Sequence, residues 1–285
     1  MTRLGYAKLK GTRRRVAKLR FELARRLMGR YALGDEEHTL HFDCASYHEL
    51  SRICAVYLKE PGTVELIRKE LREGDVFCDI GANMGLYTMM AAARVGSTGR
   101  VYAFEPLAAN FASLVDTIRL NRFCDRVTPF SLALTDAPGV YPFHYLSMEA
   151  GDSGSQLHEA VDLHEQHFSP QVTEMKFGTS VDALVQTGAM QPPDVVKIDV
   201  DGNEVRILRG MQQLLRGERR PRIVSVEVNA RERAALFALM EEAGYGLVGR
   251  NDTMGGLRQI NAGASPEEVA YNAIFRPMKS TAAPC

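Results

Sequence analysis

The feature that most constrains this chain is an apolar strand running straight into a glycine turn. Asp75-Val-Phe-Cys-Asp-Ile80 is rich in β-branched and aromatic residues, reads as a strand buried on both faces, and is closed by Gly81. Gly85 follows, and Leu86 to Val95 then reads as a helix. The alternation recurs. Val101 to Phe104 is a second strand before a helix over Leu107 to Leu120, and Val127 to Leu134 a third strand. Asp194 to Ile198 precedes a helix over Glu204 to Leu215, and Ile223 to Val228 precedes one over Arg231 to Ala243. Tyr245 to Gly249 and Ala270 to Phe275 supply late strands. Strands separated by helices build βαβ units and a mainly parallel sheet covered on both faces. The expected fold class is therefore α/β: doubly wound and Rossmann-like.

The chain divides into four segments. Residues 1–35 read as a basic amphipathic arm, 36–74 as a helical extension, 75–276 as the doubly wound domain and 277–285 as a tail. The extension contains a run opened by Pro61-Gly62, with Val64, Ile67 and Leu71 on one face. Val140 to Tyr145 reads as a strand that turns back. Residues 146–178 are rich in Gly, Ser, His and acids without a sustained period, which points to a lid or binding loop.

The net charge is zero, but it is unevenly placed. Residues 1–30 hold eleven Lys and Arg against Glu22 alone, whereas the rest of the chain holds 24 basic and 34 acidic residues. Val16, Leu19, Leu23 and Leu27 fall at helical spacing within the basic segment. Three readings stay open for it: a solvated helix against the acidic body, a peripheral contact with an anionic membrane surface or polymer, and a mitochondrial presequence. No stretch approaches the ~20 apolar residues of a membrane span. The five cysteines are widely spaced, without a CxxC pair, so neither a zinc cage nor a disulfide framework is expected. The expected compartment is the cytoplasm, with membrane contact, if any, through residues 1–30. The acidic body argues against nucleic acid as a partner.

Doubly wound sheets bind ligands beyond the carboxyl ends of their strands. After the first strand comes Asp79-Ile-Gly-Ala-Asn-Met-Gly85, in which Gly81 and Gly85 allow a tight turn and close approach to the backbone. Glu105 ends the second strand, 26 positions after Asp79, placed to accept hydrogen bonds from two ribose hydroxyls. Asn83 stands where a dinucleotide loop has its middle glycine, and an acid at 79 repels a pyrophosphate. The same acid tolerates the ammonium and sulfonium of S-adenosylmethionine.

Asp79-Ile-Gly-Ala-Asn-Met-Gly-Leu-Tyr-Thr88, Ala103-Phe-Glu-Pro106 and Val196-Lys-Ile-Asp-Val-Asp-Gly-Asn-Glu204 together resemble the FkbM family of S-adenosylmethionine-dependent methyltransferases. Asp201 replaces the glutamate usual in the third motif. The resemblance covers residues 60–276, including Ser153-Gly-Ser155, Val226-Glu-Val228 and Tyr271-Asn-Ala-Ile-Phe275. It implies a seven-stranded class I methyltransferase sheet with one antiparallel strand, and O-methylation of sugars, polyketides or related metabolites. It places Asp79, Gly81, Asn83 and Gly85 around the methionine part of the donor, Glu105 on the ribose and Ala133 beside the adenine.

A hydroxyl is a poor nucleophile, so a base helps it. Strand alternation puts Lys197 and Asp199 on one face, which makes Asp199 the first candidate for base or acceptor orienter. Lys197 and Glu227 complete the candidate catalytic set. Glu204 is read either as a helix-start carboxylate or as part of the acidic cleft. Asp199, Asp201 and Glu204 offer hard oxygens to a divalent cation, but no metal is assigned. The histidines of 144–167 read as exposed loop residues. An NAD(P)-linked oxidoreductase and a non-catalytic nucleoside-binding scaffold are the competing functions. The sequence leaves oligomeric state and acceptor open.

Overall fold

A computed structural model describes Arg15, Val16, Leu19 and Leu23, residues 29–35, 38–162 and 166–278. The four isolated residues of the basic arm are helical, with Val16, Leu19 and Leu23 exposed. Leu27 and most of the arm lie outside the described residues. Among those described, no helix is long and apolar enough to cross a membrane.

The extension expected to be helical begins instead with a hairpin. Arg30–Asp35 (β1) pairs antiparallel with His38–Asp43 (β2), across the boundary drawn at residue 35. Leu33, Leu40 and Phe42 alternate inward and join the main core, so the hairpin belongs to the domain's packing. Tyr47–Lys59 (α1) follows, held by a reciprocal Ser46–Glu49 capping box. Pro61–Glu70 (α2) starts with proline in its first turn, where a missing N–H costs nothing.

The doubly wound part then runs in order. Val76–Ile80 (β3) is buried throughout and leads into Leu86–Val95 (α3). Arg100–Phe104 (β4) leads into Ala108–Asn121 (α4), and Val127–Phe130 (β5) ends that half. Ala133–Leu134 (β6), Gly139–Tyr145 (β7), Gln156–Leu157 (β8) and Val172–Thr179 (β9) leave the main sheet. Val181–Gln186 (α5) returns to Val195–Ile198 (β10), followed by Glu204–Arg209 (α6) and Gln212–Arg216 (α7). Ile223–Val228 (β11), Arg233–Glu242 (α8), Tyr245–Asp252 (β12), Met254–Asn261 (α9) and Tyr271–Pro277 (β13) complete the chain.

The main sheet has seven strands in the order β12-β13-β11-β10-β3-β4-β5, with β13 antiparallel to both neighbours. One core lies against α1 to α4 and a second against α5 to α8, so both faces are covered. The tips of β3, β4 and β10 open on the same edge, as the doubly wound topology requires.

Three expectations need correction. The strand read over 127–134 is split: β5 stays in the main sheet and β6 pairs with β9 in a second, four-stranded sheet, β6-β9-β7-β8. The loop read over 146–178 ends in β9, which pairs with all of β7. Its apolar side chains Met175 and Phe177 face outward while Lys176 and Gly178 are buried, so its alternation is inverted and gives no inward stripe. The helix read over 204–215 breaks at Gly210. A Cβ there would come within 2.2 Å of the Thr135 carbonyl, and Asp182 restarts the chain by accepting from the Gln213 and Leu214 amides.

Candidate active site

The site forms where β3 turns. Gly81 has φ +82°, and a Cβ on it would meet the Asp199 carbonyl at 1.8 Å, so only glycine lets the β3 and β10 tips come this close. The Gly81 and Ala82 amides both donate to the Phe104 carbonyl at 3.0 Å, tying this turn to the β4 tip. Asn83 then adopts φ +51°. Its amide donates to Glu105 Oε2 and the Leu107 amide to Oε1, each at 2.8 Å. Glu105 thereby fixes the turns after β3 and β4 with one carboxylate.

A cavity of about 210 Å³ opens beside this carboxylate. One end is apolar, formed by Phe104, Leu132, Ala133, Phe143 and Leu157. The other end, toward β10 and β11, is acidic, with Glu60, Asp199, Asp201 and Glu227 on its wall, and Arg52 and Lys59 also line the cavity. Residues 152–155 close over it. Asn83 Nδ2 and Asn110 Nδ2 donate to the Asp152 carbonyl at 2.9 and 3.0 Å, and the Gly154 amide donates to Asp201 Oδ2 at 2.9 Å.

Of the residues singled out in the sequence, Gly81, Asn83, Glu105, Ala133, Asp199 and Glu227 border this cavity. Asp79, Gly85 and Lys197 do not. Asp79 lies behind the wall, fully buried, accepting from Thr88 Oγ1 at 2.6 Å. Parallel pairing sets Lys197 of β10 opposite Asp79 of β3, which draws the carboxylate toward the ammonium rather than into the cavity. Gly85 starts α3 at φ +92°, and its missing Cβ makes room for Leu114, so its role is in packing. Lys197 is buried, with Nζ 3.1 Å from Asp199 Oδ2, 3.7 Å from Asp79 Oδ1 and 5.3 Å from the Tyr87 ring centroid. It holds Asp199 in place and does not itself reach the cavity.

Glu204 is buried as well. Its Oε1 accepts from the Val200 and Gly202 amides at 3.2 Å each, pinning the turn that carries Asp201 at φ +58°. Sequence reasoning missed Arg52 on α1, and Lys59 and Glu60 at the α1–α2 junction. Glu60 is buried and accepts from Thr63 Oγ1 at 3.1 Å. The only local signal was an acid before Pro61, which reads as an ordinary helix boundary.

Burial and mutual repulsion set the charges. Burial opposes the Asp199 charge, but Lys197 beside it holds the carboxyl below its usual range. Burial likewise opposes the Lys197 charge, and Asp199, Asp79 and Glu60 together raise its pKa above normal. Glu227 is pushed well up by burial and then by Asp199, Asp201 and Glu204, and its Oε2 has no hydrogen-bond partner. Glu60 is raised by burial and by Asp199. Burial pushes Glu105 up to about 7, against the opposing pull of the Leu107 and Asn83 amides, and pushes Glu204 up to about 8. Among the described residues, no group of three or more His, Cys, Asp or Glu is arranged to hold a metal ion.

These features fit S-adenosylmethionine. Each Glu105 oxygen keeps a lone pair beyond its backbone bond, so the carboxylate can still accept from a diol. The apolar end suits a purine. The orphaned Glu227 oxygen at the acidic end suits a cationic group.

Residues 79–247 match the FkbM methyltransferase domain, and the chain belongs to that family. The hexuronic acid methyltransferase AglP of Haloferax volcanii is 31% identical over 174 residues, which is 60% of this chain and 63% of that protein. The 31-O-demethyl-FK506 methyltransferase FkbM of Streptomyces tacrolimicus is 32% identical over 167 residues, 50% of this chain and 62% of that one. Methyltransferase sdnD of Sordaria araneosa is 23% identical over 240 residues, 75% of this chain and 91% of that one. The chain thus spans under two thirds of the length of AglP and of FkbM.

Proposed function

We propose that the protein transfers the methyl group of S-adenosylmethionine to a hydroxyl of a sugar, polyketide or related small molecule. The observation that carries this reading is Glu105, a carboxylate at the β4 tip that lines the same cavity as the apolar residues Phe104, Leu132 and Ala133 and the acids Asp199 and Glu227. The names of AglP and FkbM, a hexuronic acid methyltransferase and a demethyl-metabolite methyltransferase, support the acceptor class.

When bound, S-adenosylmethionine supplies a methyl already activated on a sulfonium. The chain's own task is to hold the acceptor oxygen in line with that methyl and to exclude water. Glu105 accepts from the ribose hydroxyls. Gly81 and Asn83 offer backbone and amide to the methionine part. Asp199, kept ionised by Lys197, would accept the hydrogen bond of the acceptor's O–H and take up its proton. Glu227, whose pKa burial and the neighbouring acids raise, offers its unpartnered carboxyl oxygen beside it. A pyrophosphate finds four carboxyl groups at the acidic end, which disfavours the NAD(P) alternative. Calorimetric titration with S-adenosylmethionine and with NADH separates those two, and turnover of labelled donor separates an enzyme from a scaffold.

Glu105→Ala is expected to weaken donor binding by one to two orders of magnitude, about 1.5–3 kcal/mol for a charge-assisted hydrogen bond. Unchanged affinity removes the ribose assignment. The raised pKa adds a pH signature. Below about 7 the carboxyl is protonated and loses acceptor capacity, so donor affinity rises as the pH goes from 5.5 to 8. In the donor-free protein the sign is opposite. A raised acid favours folding at low pH, and that contribution declines as the pH rises through about 7. Glu105→Gln is expected to flatten the affinity profile.

A further inference from the structure

A second pocket, of about 170 Å³, lies across the Asp201–Asn203 turn from the donor cavity. Asp201 and Asn203 belong to the walls of both. The two cavities therefore adjoin at this turn, from which Asp199 is two residues away. We propose that this pocket is the acceptor subsite and that it takes a neutral, hydroxyl-rich ring, a glycosyl unit carrying neither carboxylate nor phosphate.

The wall chemistry carries the class of ligand. Val161 is the single apolar side chain among the lining residues, which otherwise offer amides, acids, guanidiniums and an imidazole. Sugar hydroxyls both donate and accept, and a wall that mixes donors and acceptors is what they need. Gln156, Asn203 and Asn229 supply groups of both kinds. The charge balance decides against an anion. Arg206 and Arg231 stand among Glu159, Asp162, Asp201 and Glu232, and Arg206 already contacts Asp136 at 3.3 Å. The imidazole of His158 adds no positive charge: burial and the nearby Arg206 lower its pKa.

The backbone carries the location. His158 and Asp201 both line this pocket and both hold left-handed conformations, φ +74° and +58°, that residues other than glycine rarely adopt. Such conformations persist where surrounding structure enforces them, and they concentrate at binding sites. Here Gln156 Nε2 donates to the Asp201 carbonyl at 2.6 Å, and His158 Nε2 lies 3.2 Å from Thr135 Oγ1. These contacts tie the strained residues to β8 and to the residue after β6.

This inference rests on the methyl-donor reading above, and the experiment keeps the two apart. The full chain is titrated first with S-adenosylhomocysteine. The loaded protein is then titrated with methyl hexopyranosides, a methyl glucuronide and a hexose 6-phosphate, followed by calorimetry and saturation-transfer NMR. At least one neutral glycoside is expected to bind saturably, with both anionic sugars at least tenfold weaker. Arg206→Met, at a half-exposed side chain, is expected to weaken the neutral glycoside at least tenfold while leaving S-adenosylhomocysteine affinity unchanged. No saturable neutral binding, a preference for the anionic sugars, or an Arg206→Met protein that binds glycoside normally overturns the subsite. Failure of S-adenosylhomocysteine to bind overturns the donor reading instead, and the subsite with it.

Discussion

Asp199→Asn is expected to leave donor affinity nearly unchanged and to lower kcat by about 10²–10⁴-fold, the usual range for loss of a positioned acid–base group. The substitution is nearly isosteric, and its amide oxygen can still accept from Lys197. What it removes is the charge that, in the proposed mechanism, receives the acceptor's proton. Because Lys197 holds the Asp199 carboxyl below its ordinary range, the wild-type group is ionised throughout the neutral region. An acid limb in the kcat profile near pH 7 therefore belongs to other groups, and Asp199→Asn is expected to lower the whole profile without moving that limb. A variant with wild-type kcat and an unperturbed unfolding curve takes Asp199 out of the chemistry. A variant that loses donor affinity to the same extent as kcat makes it a donor ligand.

Much of this site could be read from the chain because it lies at strand tips. Gly81, Asn83, Glu105 and Asp199 follow directly on apolar strands, and strand position alone brings them to one edge of the sheet. Behind the tips the sequence was less informative. Asp79 and Asp199 are both acids near the end of a strand, and nothing local tells that one faces Lys197 inside the sheet and the other borders the cavity as well. That distinction comes from the β3–β10 register, which is a tertiary fact. Glu60 arrives from a helix junction some twenty residues before the first motif, and no local period marks it. β9 hid for a different reason. Its inward face carries Lys176 and Gly178, with Glu174 and the Tyr145 hydroxyl satisfying the polar groups, so hydrophobic alternation points the wrong way. The break at Gly210 was equally silent, because the contact that enforces it is with Thr135 from a distant part of the chain.

Lys197→Met is expected to be the most damaging single change to stability, costing about 3–5 kcal/mol, because it strips a buried ion cluster of its central cation. A whole domain is stable by only ~5–15 kcal/mol, so the loss is a large fraction of the total. Methionine fills a similar volume, which keeps cavity formation small and isolates the electrostatic part. The sign with pH follows from which charge is left behind. Burial already raises the Asp79 pKa with Lys197 in place, and without Lys197 it rises further while Asp199 loses the partner that holds it down. Each then favours folding when protonated and opposes it as the pH rises through its folded value. The deficit relative to wild type is therefore expected to be larger at pH 8 than at pH 5 in urea denaturation. An equal deficit at both values assigns the loss to packing instead. The double variant Lys197→Met/Asp79→Asn is expected to recover part of it, because Asp79 Oδ1 has no hydrogen-bond partner of its own and depends on the ammonium for compensation. A double variant no more stable than Lys197→Met alone would mean that Asp79 is already neutral behind the cavity wall, leaving Asp199 as the group that Lys197 is there to keep charged.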